Sequence, residues 1–466
     1  MKKYFATTVA AALLLSGCIV GPNYKRPSVA VPGAYRGAAP AVSSQAAQPG
    51  APSFGAMKWW TVFHDPVLQN LIRTSLKQNY DLRIAAARIL QAEGELRVTR
   101  SQEFPQVSGT GAASHQKTLA FPGFPSFKFN QFRLGGDISW LLDFWGQYRR
   151  ATEAARAALM ASRYSQEAVR ATLVSEVASA YFQLRELDLQ LQISQNTLKS
   201  RQDSLRLTRI KEQGGVSSML DVRQAESLVQ TAETTITDTQ RLIAQQEDAI
   251  SILLGENPTT IPRGSPLNAE IAIPQLPPGL PSSLLERRPD VRQAEQQLIA
   301  ANAEIGVARA AFFPQISLTG TGGVESFQLS NLFSSGVWSF AGGLTQPIFT
   351  AGRLRGNLKA ARAAQQASVL AYQQTIQEAF REVSDALIGY RQNRKFLAQQ
   401  QTLTQTLADA DRIVRTQYQG GVTAYLDVLT QETQYFSAQL ALARARLNEL
   451  NSVVALYQAL GGGWQQ

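Results

Sequence analysis

The stretch Glu212–Val222, "EQGGVSSMLDV", returns in the second half of the chain as Tyr418–Val428, "YQGGVTAYLDV". Each places a glycine pair, Gly214-Gly215 or Gly420-Gly421, at one spacing before Leu-Asp-Val, so that Asp221 and Asp427 are counterparts. A turn written twice implies two copies of whatever it joins. Outward from it, "DLRIAAARILQAEGELRVTRSQEFPQVS" from Asp81 aligns without gaps to "DVRQAEQQLIAANAEIGVARAAFFPQIS" from Asp290. "FWGQYRRATEAARAA" from Phe144 aligns to "FTAGRLRGNLKAARAA" from Phe349 with slight slack. Each repeat reads as a helix, a Phe-Pro-Gln stop, a β-like section, a long helix, a glycine turn and a returning helix.

The expected organisation is a signal peptide over 1–17, an N-terminal tether over 18–57, repeat 1 over 58–255, a proline-rich linker over 256–281, repeat 2 over 282–461 and a tail over 462–466. Repeat 1 is predicted to hold a β-hairpin near 105–143, a long helix over 146–213 and a returning helix over 217–254. The counterparts in repeat 2 are 314–348, 353–419 and 422–460. Neither glycine nor proline occurs from Gln147 to Gln213, enough chain for a helix of roughly 100 Å. Val177, Leu184, Leu191, Leu198 and Leu205 fall seven apart, as do Val222, Val229, Ile236, Ile243 and Ile250 on the returning segment. Sustained heptads facing one another across a glycine turn predict an antiparallel coiled coil. The second long helix repeats this from Asn357 to Gln419, interrupted only by Gly389.

After Pro105 and Pro314 the period changes from helical to two. Phe132, Leu134, Gly136, Ile138, Trp140 and Leu142 alternate with Arg133, Asp137 and Ser139; Trp338, Phe340, Gly342 and Leu344 alternate with Ser339 and Thr345. Strands of about 9–11 residues with one apolar and one polar face suit a transmembrane β-barrel. The aromatics Trp140, Phe144, Trp145, Trp338 and Phe349 near their ends suit an interfacial girdle. Four strands are too few for a membrane barrel, which needs at least about eight, and an open edge cannot face lipid. Several copies must share one barrel. The competing reading, two hairpins of a soluble sheet, has the same periodicity.

The opening "MKKYFATTVAAALLLSGCIV" has a basic start, a short apolar run and a small-residue end, the pattern of an export signal. The sole cysteine, Cys18, directly follows Leu15-Ser16-Gly17, a pattern resembling the lipobox of bacterial lipoproteins. It is the expected site of S-diacylglycerol and N-acyl attachment. Ile19 in place of aspartate resembles lipoproteins sent on to the outer membrane of a Gram-negative cell. The formal charge of +10 is spread along helical segments with no nucleic-acid motif, which argues for solvated helix faces rather than nucleic-acid binding. No phosphate-cradling GxxxxGK run is present. With only His64 and His115, a triad or metal site has little material, and Asp65 beside His64 is read as packing a helix start. No enzyme activity, metal or cofactor is expected.

These features together resemble the outer-membrane factor family, in its OprM- and NodT-type lipoprotein branch related to TolC. The resemblance is carried by "GCIVGPNYKRP", "WWTVFHDPVLQNLI" from Trp59, "LPPGLPSSLLERRPDVRQAE" from Leu276, "GGVTAYLDVL" from Gly420 and the terminal "ALGGGW". It implies an α+β membrane protein. Three chains would give four strands each to a twelve-stranded transmembrane barrel, continued by a long periplasmic α-helical barrel of coiled-coil hairpins. It further implies a passive exit duct of a tripartite efflux system, served by a periplasmic adaptor and an inner-membrane pump of the resistance-nodulation-division type. A type I protein-secretion duct and a non-conducting trimeric coiled-coil scaffold are the alternatives. The glycine turns would form the periplasmic rim, where Tyr418 links to Asp221 and Asp427 lines the gate. Thr423 stands where some relatives carry an arginine, and Thr430 replaces a second aspartate. For both aspartates the competing role is that of an acid at a helix N-terminus.

Overall fold

The computed structural model describes residues 19–37, 54–120, 122–123, 125–267 and 281–464. Cys18 with the signal peptide, most of the tether and linker residues 268–280 lie outside the described residues. Repeat 1 comprises α1 (Pro66–Gln78), α2 (Tyr80–Ser101), β1 (Gln106–Lys117), β2 (Lys128–Leu142), α3 (Gln147–Gln213) and α4 (Met219–Leu254). Repeat 2 comprises α5 (Pro281–Arg287), α6 (Pro289–Ala310), β3 (Gln315–Ser326), β4 (Gly336–Thr345), α7 (Arg353–Gln419) and α8 (Tyr425–Ala459). No helix among the described residues is long and apolar enough to cross a membrane.

The sequence repeats do not fold as separate halves. One compact unit takes 1–29, 87–163 and 293–374; the other takes 30–86, 164–292 and 375–466. The reason in the first unit is the sheet, ordered β1-β2-β3-β4 and antiparallel throughout, in which β2 of repeat 1 pairs with β3 of repeat 2. The strands start at Gln106 and Gln315, directly after the Phe-Pro pairs, because proline cannot donate into a continuing helix. The register lines up Val107, Ile138, Gly320 and Phe340 across all four strands, and Gly109, Gly136, Gly322 and Trp338 in the next row. Opposed residues share a face, so one face is apolar from edge to edge. Leu134, Ile138, Trp338, Phe340 and Leu344 on it are exposed. The other face carries hydrogen bonds: Thr110 to Asp137 at 2.7 Å, Gln131 to Glu325 at 2.7 Å, and the Thr321–Ser339 hydroxyl pair at 2.7 Å.

In the same unit the segment after Cys18 is fastened down. The Val20 amide donates to the Trp145 carbonyl at 3.1 Å, and Arg150 reaches Asn23 at 2.8 Å. Arg26 grips Glu295 through two bonds of 2.6 Å, joined by Tyr24 at 3.1 Å. Trp145 stacks on Phe313 with centroids 4.7 Å apart and donates to the Pro314 carbonyl at 2.8 Å. Residue 19 is thereby held beside the junction of β2 and α3.

The second unit explains two of the other motifs. In "WWTVFHDPVL", Phe63 packs edge-on against Phe182 and Tyr457. Asp65 caps α1, accepting from the Val67 and Leu68 amides at 2.8 and 3.3 Å and from the Tyr181 hydroxyl at 3.1 Å. In "ERRPDV", Pro289 opens α6 directly after the break at Arg288, and buried Arg288 pairs with Asp290 and Glu382 at 2.6 Å each. Along α3 the apolar heptad positions are unequal: Val177, Leu184 and Leu205 are buried, whereas Leu191 and Leu198 are half-buried. Ser194, Arg201 and Thr208, also seven apart, are buried instead. That part of the seam is polar.

Candidate gate at the paired glycine turns

The two "GGV" turns have one geometry. α3 is closed by bonds from Gly214 to the Ile210 carbonyl (3.1 Å) and from Val216 to the Lys211 carbonyl (2.8 Å). α7 is closed by bonds from Gly420 to Thr416 (3.1 Å) and from Val422 to Gln417 (2.9 Å). The second glycine of each pair is left-handed, with φ of 74° at Gly215 and 76° at Gly421. Side chains are strained there, and helices commonly end on glycine for that reason.

The aspartates sit at the third position of the returning helices. Ser218 is the N-cap of α4 and accepts from the Asp221 amide at 3.2 Å; the Asp221 carboxylate accepts from the Ser218 amide at 2.9 Å and the Ser217 hydroxyl at 2.8 Å. This is a complete capping box. The Ser218 amide, with the two serine hydroxyls, holds the Asp221 carboxyl below the usual carboxylate range. In the second turn Ala424 occupies the N-cap and its methyl group can accept no capping bond, while Asp427 accepts from the Thr423 hydroxyl. The duplicated aspartates therefore have unequal duties. Asp221 completes a cap; Asp427 has an exposed neighbourhood and one hydroxyl partner.

Tyr418 does not meet Asp221 within the chain. Its phenol donates to the Thr208 hydroxyl at 3.3 Å, and its ring lies 5.5 Å from that of Tyr425. The ring is buried in an apolar cluster with Leu205, Val222, Ala225, Val414 and Val428. The expected phenol–carboxylate bond is replaced because the capping box holds the Asp221 carboxylate back on its own turn through Oδ2 and packing turns the phenol towards α3. The cross-link sequence reasoning missed is Lys211. Its ammonium donates to the Tyr418 carbonyl and lies 3.9 Å from the Tyr418 ring centroid. It ties the end of α3 to the end of α7. Nothing in the sequence around Lys211 separates it from the solvated lysines elsewhere, except its place in the last turn before a glycine pair.

Beyond this packed seam the turns present apolar side chains to solvent: Val216, Met219 and Leu220 on one, Val422 and Leu426 on the other. Exposed apolar groups gathered at two equivalent tips mark a contact surface.

A family model described as outer membrane efflux protein matches residues 71–256 and 280–462. The probable efflux pump outer membrane protein TtgC of Pseudomonas putida is 36% identical over 472 residues, covering 100% of this chain and 97% of its own length. The cation efflux system protein CusC of Escherichia coli is 38% identical over 460 residues, covering 98% of each. Among solved structures, a CusC crystal structure superposes with a TM-score of 0.85 at 34% identity, over 96% of this chain and 100% of that one. The open state of the MtrE outer membrane channel of Neisseria gonorrhoeae gives 0.86 at 33% identity, over 96% and 99%.

Proposed function

The chain belongs to the outer membrane efflux protein family and is the outer-membrane channel of an efflux system, and we propose that it works as a lipid-anchored homotrimer fed by a periplasmic adaptor and an inner-membrane pump. The observation that carries the trimer is the sheet: among the described residues β1 and β4 are both free edges, and Leu134, Ile138, Trp338, Phe340 and Leu344 on the apolar face are exposed. In lipid every edge amide and carbonyl must be paired. Three copies, edge to edge, give twelve strands and leave none open. The polar face, with its Thr110–Asp137 and Gln131–Glu325 bonds, then lines a watery lumen.

The fastening of residues 19–26 supports the anchor. It holds the position after Cys18 beside Trp145 at the foot of the sheet, so an acyl chain on Cys18 enters the same leaflet as the aromatic girdle. The exposed valines and leucines of the glycine tips support adaptor contact, and the pump we assign is of the resistance-nodulation-division type. Conduction is passive. Relatives are named for toluene and for cations, chemistries no single narrow lumen would select together, so cargo choice falls to the pump.

At the rim, Tyr418 serves as a buried strut and Asp427 as the carboxylate that faces the narrowing lumen. Planar-bilayer recording tests the duct: purified protein should give discrete single-channel steps, whereas a silent protein of correct oligomeric mass would identify a scaffold.

A further inference from the structure

A coiled-coil seam expects apolar residues, and a charge placed there is costly unless fully bonded. α3 instead buries Arg201, 2% exposed, and α8 buries Glu432, 3% exposed. Arg201 Nη1 donates to the Leu228 carbonyl of α4 at 2.8 Å, and its guanidinium lies 4.9 Å from the Phe436 ring centroid. Its Nε has no partner. Arg415 of α7 brings Nη2 to 3.0 Å from Glu432 Oε1, yet neither that guanidinium nor the Ser204 hydroxyl facing the carboxylate is aligned to hydrogen-bond it. Arg415 also donates to Asp411 Oδ2 and to the Ser200 hydroxyl of α3, both at 2.7 Å, while Asp411 Oδ1 is buried without a partner. The cluster joins the α3–α4 hairpin to the α7–α8 hairpin. It lies next along the helices from the apolar cluster around Tyr418 and Tyr425.

A half-satisfied buried polar network is worse than either a complete one or an apolar core. Its members regain hydrogen bonds when water enters. We infer that Arg201, Glu432, Arg415 and Asp411 form a latch between the two hairpins of each chain, and that the hairpins part here when the rim widens. The inference rests on the channel reading above and concerns where the rim yields.

The latch has a direction in pH. Burial holds the Glu432 carboxyl above the usual carboxylate range, Asp411 adds to this, and Arg415 and Arg201 only partly offset it. The facing groups are Arg201 from α3, Arg415 and Asp411 from α7, and Tyr425 from its own helix; α4 supplies the Leu228 carbonyl. A carboxyl whose pKa is raised when packed and ordinary when wetted binds its proton more tightly in the packed state. Proton uptake therefore holds the hairpins together, and the ionised latch is the one ready to part.

The test is single-channel conductance of the wild-type protein in planar bilayers at about 1 M salt, where screening over roughly 3 Å removes the effect of lumen charges. Conductance is expected to fall by about twofold between about pH 7 and pH 5, a change within reach of a modest shift between two rim states. The variant Arg201→Met with Glu432→Leu, which removes the titrating carboxylate and the arginine buried beside it and leaves the Arg415–Asp411 pair, should conduct at the lower level at both pH values. A wild-type conductance flat in pH overturns the latch and leaves the channel reading standing. So does a double variant that keeps the wild-type pH response or conducts more. Absence of any conductance removes the channel reading and the latch with it.

Discussion

Replacing Asp221 by alanine removes three contributions from the first glycine turn. The carboxylate loses its bond from the Ser218 amide at 2.9 Å and from the Ser217 hydroxyl at 2.8 Å, and the first turn of α4 loses a negative charge. At a partly exposed position the two bonds together contribute about 1 kcal/mol, the low end for charged acceptors. The charge adds about 0.3–1 kcal/mol against the helix dipole. The sum, about 1–2 kcal/mol, should lower local protection roughly tenfold. Hydrogen exchange over Gly214–Val222, read by mass spectrometry, measures it without requiring the whole assembly to unfold. Ser218→Ala, which removes the bond from the Asp221 amide, should cost about 1 kcal/mol at the same place. The sign in pH follows from the depressed carboxyl. Its contribution is complete above the unfolded aspartate value of about 3.9 and is lost as pH falls through the lower folded value. Unchanged protection in Asp221→Ala, with raised single-channel conductance, would refute the cap and restore Asp221 to the gate.

Three further outcomes follow from the sheet, the rim and the anchor. Leu344→Arg on the apolar face should cost about 2–4 kcal/mol near the bilayer midplane, whereas Thr345→Arg on the polar face is tolerated; equal trimer yields from the two would show that the faces are misassigned. Asp427→Asn should reduce cation over anion selectivity in reversal-potential measurements, most at low salt where screening is weak; an unchanged ratio there removes Asp427 from the lumen. Labelled palmitate should enter the wild type and not Cys18→Ala, and equal labelling of both would end the lipoprotein assignment.

What could be read in advance followed the locality of its cause. The glycine turns were legible because a left-handed residue at Gly215 and Gly421 is a one-residue requirement, met twice at the same spacing. The strands were legible because alternation through Leu134, Gly136 and Ile138 or Trp338, Phe340 and Gly342 needs no partner to be recognised. The interleaving of the repeats was not, since the pairing of β2 with β3 depends on contacts between segments far apart in sequence. The Tyr418–Asp221 bond came from resemblance alone. In this chain the local capping box holds the Asp221 carboxylate through Oδ2, and the phenol turns to Thr208. The buried charges did leave a trace: Ser194, Arg201 and Thr208 are spaced by seven beside Leu198 and Leu205. A polar heptad beside an apolar one reads equally as a solvated helix face. Only the second hairpin, bringing Glu432 and Arg415 against it, makes it a seam.

The central claim is that four strands with two free edges become a membrane channel only by sharing a barrel among three chains. Sedimentation equilibrium in density-matched detergent tests this most directly, because it weighs the protein without the detergent. The account predicts a single species with the mass of three chains and no lighter species retaining the sheet. A folded monomer with the full β-sheet circular-dichroism signal would contradict it.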